Sequence, residues 1–219
     1  MTLKIQVYSD YVCPFCYLGK GPFEEAIEGK DVEVEWMPFE LRPYPAEPLD
    51  PWNDPPKKAA WDSTIAPYAK RWGVDMKLPH VSPHPYTHLA FEGYQFALER
   101  GLGKAYHDRV FRAFYGEEQN IGEPEVLTHL AGEVGLDEGE FRQALAERTY
   151  KQAHQAALRH AYEANIRAVP TFFIGDQVIQ GIAGKEQLER VIEDQLNKQA
   201  LEASEGPEGL SCDADGTCR

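Results

Sequence analysis

With 219 residues, 42% of them hydrophobic and 26% charged, the chain has the material for one substantial core, as a single large domain or a domain carrying an insertion. A formal net charge of −14 argues against a nucleic-acid partner, which needs a basic patch, and against an anionic membrane surface. No apolar run reaches the roughly 18 residues of a membrane span, and Met1–Lys4 lead into the first strand without the apolar segment of a secretory signal, so the expected compartment is the cytoplasm.

In chain order, Leu3–Tyr8 alternates apolar and polar residues and predicts a β-strand. Ser9-Asp10-Tyr11-Val12-Cys13-Pro14-Phe15-Cys16-Tyr17-Leu18-Gly19 follows, and Leu18, Phe23, Ala26 and Ile27 suggest an interrupted amphipathic helix. Strand, turn, Cys-x-x-Cys and helix together give the cysteine pair a redox reading. Cys13 falls at the helix N-terminus, where free N–H groups and the positive end of the dipole favour a thiolate. Pro14 takes the first helical position, where its missing N–H costs nothing. Cys16 lies one turn on, on the same face, and can close a small disulfide. Half of a zinc site and a purely structural disulfide are the competing readings.

Val32–Phe39 alternates again, giving a second strand with Val32, Val34 and Trp36 on one face, and a right-handed crossover makes it parallel to the first. Residues 42–56 hold Pro43, Pro45, Pro48, Pro51, Pro55 and Pro56 and read as irregular linker. A helical block follows: 57–72, with a kink or break at Pro67; 86–100; 104–115; a helix opening at Pro124 and stopping at Gly135; one capped by Asp137 with Glu140; and 150–164. Thr171–Ile174, a Gly175-Asp176 turn and Gln177–Gln180 form a hairpin, followed by a helix over 185–203. The remaining tail is rich in Glu, Gly, Pro and Ser, reads as mobile, and carries Cys212 and Cys218.

The β-α-β opening, helical block and β-β-α close predict an α/β protein, a thioredoxin fold with a large all-helical insertion between its two halves. The expected boundaries are 1–40 for the first half, 41–162 for the insertion domain, 163–203 for the second half and 204–219 for a flexible tail. In Ala168-Val169-Pro170-Thr171-Phe172, a Val-Pro bond before a short strand fits a cis-proline loop facing the cysteines, with the Val169 backbone left to pair with an extended substrate. The other reading of Pro170 is a trans proline starting an edge strand. Asp10 reads either as a proton relay to the thiols or as a turn residue.

His80, His84 and His88 recur every four residues, but Pro79, Pro83 and Pro85 prevent a shared helical face, so they read as loop and helix-start residues and no metal site is expected. His107, His129, His154 and His160 are expected on helix surfaces or in polar contacts. Cys212 and Cys218 carry three readings: a relay to the first pair, a soft-metal site, or an inert or structural pair. Asp213 and Asp215 beside them raise thiol pKa values, which disfavours a nucleophilic first attack.

Cys-Pro-Phe-Cys-Tyr-Leu-Gly, a helical insertion and Val-Pro-Thr-Phe-Phe-Ile, in that order, resemble the DsbA family of thiol oxidoreductases, with a FrnE-like, cytoplasmic branch as the nearest match over residues 3–203. The resemblance implies Cys13 as nucleophile, Cys16 as resolving thiol, and Pro14, Phe15, Val169, Pro170 and Asp10 in support. It implies disulfide- or thiol-containing protein or peptide substrates, glutathione among the candidate thiols, and no bound cofactor. Some FrnE-like proteins are similar in carrying a second cysteine pair near the C-terminus. The related kappa-class glutathione transferases and hydroxychromene-carboxylate isomerases typically carry Ser where this chain has Cys13. A glutathione-dependent transferase or isomerase, and a non-catalytic binding protein with structural disulfide or metal pairs, remain the alternatives.

Overall fold

The computed structural model describes residues 2–204. The expectations for Cys212 and Cys218 lie outside the described residues. Leu3, Ile5 and Val7 alternate into the core and form β1 (Leu3–Ser9). It is followed by α1 (Pro14–Ile27) and β2 (Val32–Pro38). β1 and β2 pair in parallel, with Ile5 opposite Val34 and Val7 opposite Trp36. The hairpin near the end of the chain supplies β3 (Thr171–Ile174) and β4 (Gln177–Gln180). β3 runs antiparallel to β1, placing Val7 opposite Phe172, and the sheet order is β2-β1-β3-β4. The strand that delivers the cysteine turn is therefore internal to the sheet. It lies next to the strand that follows Pro170.

α1 runs unbroken through Pro22, contrary to the expected interruption. An interior proline costs about 3 kcal/mol. Leu18 and Phe23 are fully buried on either side of it, and burying each such side chain returns about 1.5–3 kcal/mol. The packed face therefore outweighs the lost hydrogen bond.

Between β2 and β3 come α2 (Pro55–Ala60), a π-helical turn (Trp61–Ile65), α3 (Ala66–Trp72), α4 (His88–Glu99), α5 (Gly103–Tyr115), α6 (Pro124–Glu133), α7 (Glu138–Ala146) and α8 (Lys151–Glu163). The expected 57–72 helix begins earlier, where Asp54 accepts the Lys57 N–H and Pro55 needs none. Its break comes as the π turn, whose widened ring is closed by the Ala66 N–H on the Trp61 carbonyl, one residue before Pro67. This turn buries both Trp61 and Ile65. Asp137 caps α7 by accepting the Glu140 N–H at 2.8 Å, as its sequence pattern predicts.

Phe91, Phe96, Tyr106, Phe111, Phe114 and Phe141 form the centre of the helical block and join one continuous core with the sheet residues. Gly93 sits where a Cβ would fall 2.3 Å from the Tyr106 Oη and 2.6 Å from Phe141 Cζ, so α4 can pass there only as glycine. α9 (Lys185–Ser204) is the last element of the described residues and packs on α1.

Of the two expected settings, helix surface or polar contact, His107 and His154 take the second, in the interior. His107 is buried, stacked on Trp36 at 4.2 Å between ring centroids, with its Nδ1 3.3 Å from the Tyr11 hydroxyl. His154 is buried and its Nε2 meets Glu40 Oε1 at 2.6 Å. Both helices lie between other elements, so a polar residue on their inner face is enclosed together with its partner.

Candidate active site

The loop after β1 closes when the Cys13 N–H donates to the Asp10 carbonyl at 3.0 Å. Cys13 is the N-cap of α1, with extended backbone (φ −88°, ψ 111°), and Pro14 occupies the first turn. The Cys13 carbonyl then accepts the N–H groups of Cys16 (3.1 Å) and Tyr17 (3.3 Å), which starts the helix and sets the two side chains one turn apart. Both are free thiols, 3% and 4% exposed. A reagent must therefore meet them through a close-fitting surface rather than from open solvent. Burial, then hydrogen bonding with Cys13, pushes the Cys16 thiol well above the usual range, so it stays protonated at neutral pH. The buried side chain of Ser9 stands beside it and works in the opposite, lowering direction.

The loop before β3 meets this turn. The Cys13 thiol donates to the Val169 carbonyl at 3.5 Å, and the Val169–Pro170 peptide is cis. Thr171 Oγ1 on the Ala168 carbonyl (2.7 Å) and the Gly181 N–H on the Pro170 carbonyl (2.8 Å) hold the loop. Pro170 Cγ lies 3.8 Å from where a Cβ on Gly19 would be, which seats the loop against α1. Phe15, half-buried, packs at the edge of the core.

Asp10 is buried beneath the turn. Its Oδ2 accepts the Leu41 N–H at 2.7 Å and its Oδ1 the Val12 N–H at 3.4 Å. Of its two sequence readings, these contacts are those of a turn residue that ties the cysteine loop to the segment after β2. Burial raises its pKa to about 7, against the lowering effect of these hydrogen bonds and of Thr87.

This shift has a stability consequence. The folded-state value lies above the ordinary aspartate value of 3.8, so the folded state binds the proton more tightly. That stabilisation is complete below about pH 4 and is lost as pH rises through about 7. Urea unfolding of wild type and Asp10→Asn at pH 4, 6 and 8 should show wild type losing stability relative to the variant, on the order of 4 kcal/mol over the range. His84, pushed down to about 4 by burial, works in the opposite sense. Its contribution is present above about pH 6.5 and is lost as pH falls through about 4; being common to both proteins, it cancels. A pH-independent difference would show that Asp10 titrates as an ordinary carboxyl.

Sequence reasoning did not single out Trp61, Thr87 or Tyr115, and it read His84 only as a loop residue. Tyr115, fully buried at the end of α5, stacks on Tyr17 of α1 at 5.1 Å and stands within electrostatic reach of both thiols. A small apolar cavity of about 160 Å³ opens beside Val12 and Pro14 and is walled by Trp61, Leu78, His84 and Tyr115. The aromatic run Phe111, Phe114, Tyr115 was the available signal. Among the described residues, no group of three or more His, Cys, Asp or Glu side chains gathers as a metal site, and no helix is long and apolar enough to cross a membrane.

Comparison with known proteins adds four observations. The pattern of the family described as DSBA-like thioredoxin domain matches residues 4–193. Protein YwbO of Bacillus subtilis (strain 168) is 59% identical over 200 residues, covering 91% of this chain and all of that protein. Among solved structures, the probable DsbA oxidoreductase SCO1869 of Streptomyces coelicolor superposes with a TM-score of 0.80 at 25% identity, covering 99% of this chain and 98% of that one. The cytosolic disulfide reductase DsbM of Pseudomonas aeruginosa, solved with GSH, shares the fold with a TM-score of 0.59 at 20% identity, covering 92% and 100%.

Proposed function

This chain belongs to the DSBA-like thioredoxin domain family, and from that membership we propose that it is a thiol–disulfide oxidoreductase working through Cys13 and Cys16. The observation that carries the reading is the convergence of the Cys13 thiol, the N-terminus of α1 and the Val169 carbonyl at one point. Cys13 stands where unpaired helical N–H groups meet developing negative charge. Its thiolate attacks one sulfur of a substrate disulfide, forming a mixed disulfide and releasing the other sulfur as thiolate. Cys16 then loses its proton and attacks the Cys13 sulfur. The Cys13–Cys16 disulfide forms, the second substrate thiolate leaves, and two electrons have passed to the substrate. Run backwards, the same steps oxidise a dithiol, and the relative reduction potentials set the direction.

The raised Cys16 pKa fits the resolving role, since a thiol that stays protonated does not compete for the first attack. In this reading Val169 offers its backbone to an extended substrate in the manner of strand addition. Pro14, Phe15, Pro170 and Asp10 shape and hold the loop. The substrates are disulfide- or thiol-bearing peptides, proteins or small thiols, and a cytoplasmic, FrnE-like role is the form of this reading that we favour. The test is insulin reduction with dithiothreitol as electron donor. The protein should accelerate precipitation of the insulin B chain well beyond dithiothreitol alone; no acceleration, together with no oxidation of insulin-derived dithiols, would defeat the reading.

A further inference from the structure

We propose that the polar pocket enclosed by the segment after β2 and the first turns of α4 and α8 is a binding site for a small organic monocarboxylate. Neither cysteine lines it, so the site goes beyond the disulfide-exchange reading and does not depend on it. Its volume is about 540 Å³, and small-molecule sites hold about 300–1,000 Å³.

Three observations carry the proposal. The first is a buried polar atom that the fold leaves unpaired. His154 is 2% exposed and lines the pocket. Its Nε2 meets Glu40 Oε1 at 2.6 Å, while its Nδ1 has no hydrogen-bond partner. Buried polar groups are nearly always paired, and an unpaired one calls for an explanation. A ligand oxygen in the pocket supplies it. With a carboxylate on either side, the ring takes its charged form, in which both nitrogens donate.

The second is the sign of the free charge. Both carboxylates in the wall are already engaged. Glu92, 1% exposed, accepts from Arg148 Nη2 at 2.6 Å and Nε at 2.8 Å, and Glu40 holds His154. Arg148 sits at φ 55°, backbone that residues other than glycine rarely adopt, and from there its guanidinium reaches Glu92. Burial lowers the pKa of His88, which leaves that ring neutral at pH 7. Lys151 is exposed and has no partner among the described residues. The two buried pairs cancel, so the lining carries one uncompensated positive charge, that of Lys151. One carboxylate matches it. A phosphate dianion would be repelled by Glu40 and Glu92.

The third is the backbone. His88 and Lys151, the first residues of α4 and α8, both stand in the wall, and neither helix has a side-chain cap. Two helix N-termini therefore turn the positive ends of their dipoles to one pocket, which favours an anion. Pro43, Tyr44 and Leu158 join the lining. They offer apolar contact to the organic part of a ligand, which a bare inorganic ion would not use.

The experiment titrates the wild-type protein with N-acetylglycine, with its neutral analogue N-acetylglycinamide and with inorganic phosphate, at constant ionic strength. Nuclear magnetic resonance follows the rings of His88 and His154 against that of exposed His129. N-acetylglycine should shift both pocket histidines saturably and leave His129 in place. The amide should bind about tenfold more weakly or worse, because it loses the charge-assisted hydrogen bonds. Lys151→Gln, a change at an exposed position, should raise the dissociation constant for N-acetylglycine about five- to tenfold. The proposal is overturned by any of four results: no saturable shift at the two histidines, equal binding of the amide, tighter binding of phosphate than of N-acetylglycine, or an unchanged dissociation constant in Lys151→Gln. The comparison of the three probes in wild type decides the matter alone if the variant does not fold.

Discussion

Cys13→Ser should reduce disulfide exchange to the uncatalysed rate, while Cys16→Ser should stop it halfway. Serine presents no thiolate, so the first variant has no nucleophile at the mouth of α1. The second keeps Cys13 and its contact with Val169 but lacks the thiol that resolves the adduct. Mixed disulfides should then accumulate to one equivalent per chain, visible as adducts on non-reducing gels and reversed by dithiothreitol. The contrast is diagnostic because the two side chains sit one turn apart on the same helix and are almost equally buried. A purely structural pair would respond alike to either substitution, with loss of stability and no adduct. Adducts in Cys13→Ser and none in Cys16→Ser would reverse the two roles.

Phe111→Ala should be the most damaging single core truncation near the site. Phe111 is fully buried and touches Tyr11, Tyr17 and His107. It therefore joins α5 both to the cysteine loop and to α1. Removing a buried phenylalanine ring costs about 3–5 kcal/mol, or roughly 6–20 °C in Tm for a chain of this length. Val178→Ala, on the exposed face of β4, provides the control and should stay within about 0.5 kcal/mol. Thermal melting read by circular dichroism checks both. A shift of under about 3 °C for Phe111→Ala would mean that the helical block and the cysteine loop are not packed as one core.

The sheet and the cysteine turn were legible because their signals are local. Alternation of Leu3, Ile5 and Val7, Pro14 at a helix start and the Asp137 cap each depend on a few adjacent residues. The Val169-Pro170 loop was legible in combination with Cys13, through a motif split between the two ends of the chain. What escaped was set by residues far apart in sequence. The cavity draws on Val12, Trp61, His84 and Tyr115, which share no spacing rule. His107 looks like a surface residue by composition, yet its partners Tyr11 and Trp36 come from the loop after β1 and from β2. The π turn hides for another reason. Pro67 announces a disturbance in the helix but does not say whether the chain will bend, stop or widen by one residue, and the burial of Trp61 and Ile65 decides that. The expected interruption of the first helix gave the opposite error, since burial of Leu18 and Phe23, absent from local propensity, carries α1 through Pro22.

The contact between Cys13 and Val169 spans 156 residues of chain, which has a consequence during synthesis. At about 5–20 residues per second, translation needs on the order of 8–30 s after Cys13 is made before Val169 exists. β1 waits equally long for β3, its antiparallel neighbour in the sheet. On the ribosome, Cys13 is therefore a thiol on an unfinished sheet, without the carbonyl that receives it in the folded protein. A stalled nascent chain truncated before Ala168 should react with a maleimide at Cys13 far faster than the released protein does, in which that thiol is enclosed.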